Sequence, residues 1–345
     1  MFCLIGNAPS SGSTLLADLL DSTPISACGP ELEFFCNKNL YDFSKFKQKP
    51  TISNIANLKS TGIYPQYQRL NSYGIKKDLL FNMINSSTDL NDFIDTFSNH
   101  FLDFRNKNKD GIVFEKTPQN INCIQEFLNQ TNGYFIYITR NPIYVFNSLI
   151  NRGWGSYIAL GTWLITTAQY ISYHNHPRVI LVKYEELVKS PFKIVNSIIK
   201  KTSGIELSID TIEKTFSENV YRKQYSTSIK SWGVNNEKGK VKNANEKKIS
   251  NDRLEQFSLA YNMSINSSYS NHYSIPACSY NDLINQLGYT KECHEMTSKI
   301  TKLDKLQKSN WDQKKLFSKW LREFIGGHSK MNDFSIFKNP LQIKY

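Results

Sequence analysis

The sequence predicts an α/β fold: a mostly parallel sheet with helices on both faces, a helical insertion and a helical C-terminal extension. Three observations carry the prediction. Four short apolar runs, Phe2–Gly6, Ile112–Phe114, Tyr134–Thr139 and Val179–Val182, are each bounded by turn or charged residues, as buried strands are. Stretches with helical spacing separate them. Strand and helix in alternation give a parallel sheet covered on both faces.

The first strand stops at Asn7. Leu15, Leu16, Leu19 and Leu20 then make one helix face, which ends before Pro24. Residues 37–110 are long for a crossover and rich in Asn, Lys and Ser; they read as a helical cap inserted over one side of the sheet. Inside it Phe93, Ile94, Phe97 and Phe101 line a helix, with Ser87 or Thr88 as its cap. Ile143, Phe146, Leu149 and Ile150 line the next, with Asn141 as cap and Pro142 in the first position. Ser279 to Gly288 reads as a short helix with a Ser cap and a Gly stop. Residues 1–290 then form one domain. Residues 291–345 form a helical extension built on two amphipathic stretches, Met296–Leu306 and Leu316–Phe324.

Composition narrows the classes. Among 345 residues, 42 Lys and Arg stand against 30 Asp and Glu, a net charge of +12. Hydrophobic residues at 40% suffice for a large core and exclude wholesale disorder. No apolar run nears the roughly 18–20 residues of a membrane span, and Met1–Gly6 lacks the basic start of a secretory signal. The expectation is a cytoplasmic protein with no membrane span. The six cysteines are scattered without a CxxC pair, which suggests neither a disulfide frame nor zinc. His174 and His176 lack a third ligand, so no metal is expected. Seven lysines fall between Lys223 and Lys248, which reads as a basic, flexible loop. Its field suits any anion, whether nucleotide or nucleic acid.

Two segments carry chemistry. Gly6-Asn7-Ala8-Pro9-Ser10-Ser11-Gly12-Ser13-Thr14 runs from a strand through a small-residue loop into a helix start. That order points backbone N–H groups at one spot and makes a P-loop-like anion site. A Walker A loop would have Lys where Ser13 stands, and a Ser/Thr-capped helix after a turn reads this segment equally well. In Thr139-Arg140-Asn141-Pro142, Arg140 ends a strand, where parallel sheets bind ligands. Ser148 and Arg152, four residues apart, share a face of the following helix. Arg140, Ser148 and Arg152 can therefore converge on one phosphate.

Together these segments resemble the PAPS-dependent sulfotransferases, in particular the bacterial and tyrosylprotein-sulfotransferase-like branch; PAPS is 3′-phosphoadenosine 5′-phosphosulfate. The first is similar to that family's 5′-phosphosulfate loop and the second to its 3′-phosphate motif. Leu181-Val-Lys-Tyr184-Glu185-Glu186 looks like the segment whose Tyr borders the 3′-phosphate. The likeness spans roughly residues 1–35, 112–200 and, loosely, 225–290. It implies that PAPS and its product PAP are bound without a metal by Ser10, Ser11, Gly12, Ser13, Thr14, Arg140, Ser148, Arg152 and Tyr184. In Cys28-Gly29-Pro30-Glu31 it carries the family's general base to Glu31; Glu33 points the same way if the segment is extended. In Glu115-Lys116-Thr117-Pro118 it makes Lys116 the lysine on the transferring sulfuryl group. One departure is plain: family members of this branch usually carry Arg or Lys where this chain has Ser10.

The expected activity is in-line transfer of a sulfuryl group from PAPS to a hydroxyl of a carbohydrate or small-molecule acceptor. Tyr64, Tyr67 and Trp232 are candidates either to stack on that acceptor or to sit in the core. Two other classes compete. A P-loop nucleotide kinase or NTPase is disfavoured by Ser13 and by the lack of a clear Mg²⁺-binding Asp at a strand end. A non-catalytic nucleic-acid-binding protein would be driven by the Lys223–Lys248 block.

Overall fold

The computed structural model describes residues 1–48, 70–218, 249–265 and 275–298, together with 236–237, 240–241, 267, 270 and 337–338. Five parallel strands, β1 (Phe2–Asn7), β2 (Ser26–Cys28), β3 (Ile112–Lys116), β4 (Tyr134–Thr139) and β5 (Val179–Lys183), form a sheet in the order β2-β3-β1-β4-β5. Around them run α1 (Ser13–Ser22), α2 (Phe43–Gln48), α3 (Lys77–Ser86), α4 (Leu90–Phe104), α5 (Ile124–Gln130), α6 (Pro142–Asn151), α7 (Ser156–Ile171), α8 (Tyr184–Lys189), α9 (Pro191–Ser203), α10 (Ile209–Glu218), α11 (Asn251–Ser258), α12 (Tyr280–Gln286) and α13 (Thr290–Thr297).

Four strands are the runs read from sequence, three of them longer at the C-terminal end. β2 was not anticipated; three residues give too little pattern to read. Alternation along the strands sends Phe2, Leu4, Val113, Phe135 and Tyr137 to one face, against α4, α5, α7 and α12. Cys3, Ile5, Phe114, Ile136 and Ile138 go to the other, against α1, α9 and α10. Both faces of β1, β3 and β4 are buried, which is why these strands read as unbroken apolar runs, while β5, at the edge, leaves Leu181 exposed.

The 37–110 stretch does more than cap the sheet. Its α4 lays Phe93, Phe97 and Phe101 onto the sheet, where Phe35 lies 4.6 Å from Phe2 and 5.3 Å from Phe97, ring centre to ring centre. The cap of α4 differs from expectation. Asp89 accepts from the N–H groups of Asn91 and Asp92, while the Ser87 hydroxyl donates back to the Met83 carbonyl at 2.6 Å and closes α3. Asp89 wins because it is the residue that directly precedes the first helical turn. Helix α7 also escaped the sequence reading. It is buried nearly all round, with Trp163 stacked on Tyr280 at 5.0 Å and Tyr170 on Tyr137 at 4.5 Å, so it shows no amphipathic period.

Ser279 and Asp282 form a capping box on α12, and Gly288 (φ 72°) ends it as expected. Ser264–Ile265 pairs antiparallel with Phe337–Lys338, and Asn236–Glu237 with Lys240–Val241. The rest of the 223–248 block, Tyr64, Tyr67, Trp232 and the 316–324 stretch lie outside the described residues. Among the described residues no helix is long and apolar enough to cross a membrane.

Candidate active site

The carboxyl edge of the sheet brings the chemistry-bearing residues together. β1 lies between β3 and β4, with Ile5 level with Lys116 on one side and Asn7 level with Ile138 on the other. The chain leaves β1 toward β2 and returns on its other side as β4, so a crevice opens over the end of β1. The loop from β1 to α1 fills it, with Ser10 at φ 72° and Gly12 at φ 91°. Gly12 is required twice over: by its left-handed backbone, and by the Tyr184 ring, which lies 2.2 Å from where a Cβ would stand.

Gly12 is also the cap residue of α1, and no side chain caps that helix. The alternative of an ordinary Ser/Thr-capped helix is thereby removed. The first N–H groups of α1, with their partial positive charge, have no side-chain cap among the described residues and no acidic residue in the first turn. The start of α6 is different. Asn141 accepts from the Ile143 N–H at 3.0 Å, its own N–H donates to Glu185 at 3.0 Å, and the Tyr289 hydroxyl donates to the same carboxylate at 2.9 Å. Protein groups already fill that helix end.

Arg140 is 6% exposed. Its guanidinium lies over the Tyr184 ring at 4.6 Å and the Tyr144 ring at 5.4 Å, and donates to the Ser10 carbonyl at 3.3 Å. Burial pulls its pKa below the usual value, opposed by Tyr184 and Glu185. Arg152, exposed at the end of α6, donates to the Ser10 hydroxyl at 3.2 Å. Ser148 is half-buried one turn back on the same helix. The structure thus brings Ser10, Ser11, Gly12, Ser13, Thr14, Arg140, Arg152 and Tyr184 into one cluster, with the Tyr184 ring between Gly12 and Arg140.

In that cluster and in the residues that end β1 and follow β4 beside it, four buried polar atoms have no hydrogen-bond partner: Asn7 Oδ1, Ser11 Oγ, Thr139 Oγ1 and Asn141 Nδ2. Leaving a buried polar group unpaired costs about 1–3 kcal/mol. Three of the four groups can donate, and all four sit where β1 and β4 end. They fit an anionic, oxygen-rich ligand such as a phosphate ester.

A second cluster lies at the end of β3. Lys116, 1% exposed, donates to Glu31 Oε1 at 2.6 Å. The segment bearing Glu31 is held on three sides. The Tyr73 hydroxyl donates to the Pro30 carbonyl at 2.7 Å, the Leu32 N–H donates to Glu115 at 3.0 Å, and the Glu33 N–H donates to Thr117 Oγ1 at 3.1 Å. Glu115 is fully buried and also accepts from Asn120 and Thr117, each at 2.6 Å. Burial raises its pKa, with those hydrogen bonds opposing. Glu33 has φ 56°, so the segment is not extended and the two glutamates are not related by strand alternation.

Sequence reading missed these supports: Glu115, Tyr73, Glu185 and Tyr289. Only Glu115 left a signal, an acid directly after the apolar run Ile112–Phe114. Among the described residues no group of His, Cys, Asp and Glu side chains is placed to hold a metal ion. The His174 and His176 rings bond to nearby backbone instead.

A family model described as "Sulfotransferase family" matches residues 3–207, more than half of the chain. A comparison with curated proteins finds no match. Among solved structures, the chain is similar to the sulfotransferase domain of the Synechococcus PCC 7002 olefin synthase, with 16% identity and a TM-score of 0.48 over 65% of this chain and 79% of that one. The sulfotransferase domain from the curacin biosynthetic pathway gives 14% and 0.44 over 62% and 77%. The sulfotransferase STF9 from Mycobacterium avium gives 11% and 0.36 over 66% and 68%.

Proposed function

This chain belongs to the sulfotransferase family, and from that premise we propose that it moves the sulfuryl group of PAPS to a hydroxyl of a carbohydrate or other small molecule. The observation that supports this most is the unpaired, buried Ser11 hydroxyl beside the uncapped start of α1, with the Glu31–Lys116 pair at the neighbouring strand end.

When bound, PAPS supplies an activated sulfuryl group on a 5′-phosphate leaving group. The backbone amides of Ser10 to Thr14 and the Ser11 hydroxyl hold the 5′ end. Arg140, Ser148 and Tyr184 hold the 3′-phosphate. Glu31 takes the proton of the acceptor hydroxyl as its oxygen bonds to sulfur and the bond from sulfur to the 5′-phosphate oxygen breaks. The electron pair of that bond stays on the phosphate, where Lys116 and the loop amides stabilise it. The 2.6 Å contact couples the two events. Protonation of Glu31 weakens its hold on the Lys116 ammonium as charge grows on the leaving group. A sulfate ester and PAP result.

The test is binding followed by turnover. PAP in the presence of EDTA should stabilise the protein, by about 2.7 kcal/mol at 100 times its Kd. ATP with Mg²⁺, or RNA, should not. Stabilisation by ATP with Mg²⁺ alone would point to a kinase or NTPase. A strongly salt-dependent response to polynucleotide alone would point to a nucleic-acid-binding protein. Sulfur-labelled donor and fractionated cell extract would then reveal the acceptor as the labelled product.

A further inference from the structure

The α1 loop is a phosphate cradle with no cation of its own. Ala8 to Thr14 contains no Lys, Arg or His, although a departing phosphate needs positive charge and cradles of this form commonly bring a lysine. Two guanidinium groups meet the loop, both at Ser10, and they meet it differently. Arg140 bonds to the Ser10 backbone carbonyl and is wedged between two tyrosine rings. Arg152 bonds to the Ser10 side chain.

We propose that Arg152, standing at the tip of Ser10, is the missing cation of the 5′ loop, rather than a ligand of the 3′-phosphate. This rests on the donor reading above. Three features carry it. The Arg152 guanidinium stands 3.2 Å from the Ser10 hydroxyl, so a chain with cations at both positions would set like charges close together. Among the described residues Arg152 has no carboxylate partner. Ser10 also holds a left-handed backbone that a non-glycine residue seldom adopts (φ 72°), which turns its hydroxyl toward α6. The short residue at position 10 and the arginine 142 positions later form one device: the loop cation is supplied from the end of another helix.

The test separates the two ends of the nucleotide by calorimetry with adenosine 5′-monophosphate and adenosine 3′,5′-bisphosphate. Arg152→Ala should weaken both by the same factor, roughly 10–100-fold for a lost charged hydrogen bond. Arg140→Ala should weaken the bisphosphate far more than the monophosphate. Adding Ser10→Lys to Arg152→Ala should restore most of the lost affinity for both nucleotides. A loss confined to the bisphosphate, no loss with either nucleotide, or a double variant no better than Arg152→Ala would each overturn the assignment while leaving the donor reading intact. If the unsubstituted protein binds neither nucleotide, the donor reading fails and the assignment falls with it.

Discussion

Among the described residues, two ion pairs place their carboxylates ten residues apart, on Asp21 and Glu31, and they are built on opposite plans. Asp21, at the end of α1, is fully buried and takes both guanidinium nitrogens of Arg105, at 2.5 and 3.1 Å, and the Cys28 N–H at 2.9 Å. Lys107 donates to the neighbouring carbonyls of Asp21 and Thr23. That carboxylate ties α1, β2 and the end of α4 together, and its lone pairs are committed. Glu31, ten residues on, takes a single hydrogen bond from Lys116 and keeps 17% of its side chain exposed. A saturated carboxylate fixes structure. One held by a single bond and part-exposed can reach a group outside the protein. Here the lysine is the fully buried partner and the glutamate reaches outward, which suits a base that must meet an acceptor.

The largest effect should come from Glu31→Gln, which removes the proposed base and keeps the shape. Turnover should fall about 10²–10⁴-fold in single-turnover assays, with PAP affinity preserved. Near-normal turnover would make this pair structural, like the other. Asp21→Asn should act on the opposite observable. Stranding Arg105 should cost about 3–5 kcal/mol in denaturant unfolding, while each folded molecule keeps its turnover. Lys116→Ala should slow the reaction about 10²–10³-fold, yet destabilise less than Asp21→Asn because Glu31 can turn to water. A full-sized stability loss with unchanged rate would erase the contrast.

The smallest effect concerns Glu115, the anchor beneath Glu31. Its folded pKa is raised, so the folded protein binds this proton more tightly than the unfolded chain does. Stability relative to Glu115→Gln should therefore rise as pH falls from the raised folded value toward the ordinary glutamate value. Paired unfolding curves across that window check the sign, and an opposite slope would mean that the Leu32, Thr117 and Asn120 hydrogen bonds outweigh burial.

What could be read from sequence was local. The apolar runs of β1, β3, β4 and β5 marked a covered parallel sheet because each run is a contiguous pattern. The loop from Ala8 to Gly12 and the Asn141-Pro142 helix start were legible for the same reason. Asp89 lost to Ser87 and Thr88 because neighbouring polar residues all look like caps until backbone geometry chooses one. Helix α7 stayed hidden because burial on every side removes the period that betrays a helix.

Glu31 and Lys116 could be named as separate candidates, but their 2.6 Å contact joins residues 85 positions apart, and the supports around them, Tyr73 and Glu115, also come from distant chain. The sequence by itself determined β1, β3, β4 and β5, the small-residue loop before α1 and the kinds of charge near it, because those depend on neighbours along the chain. Which charges face each other was decided only by tertiary structure. Arg152 at Ser10 and Lys116 at Glu31 depend on strand order and register, and no local pattern encodes the distance between residues brought together by folding.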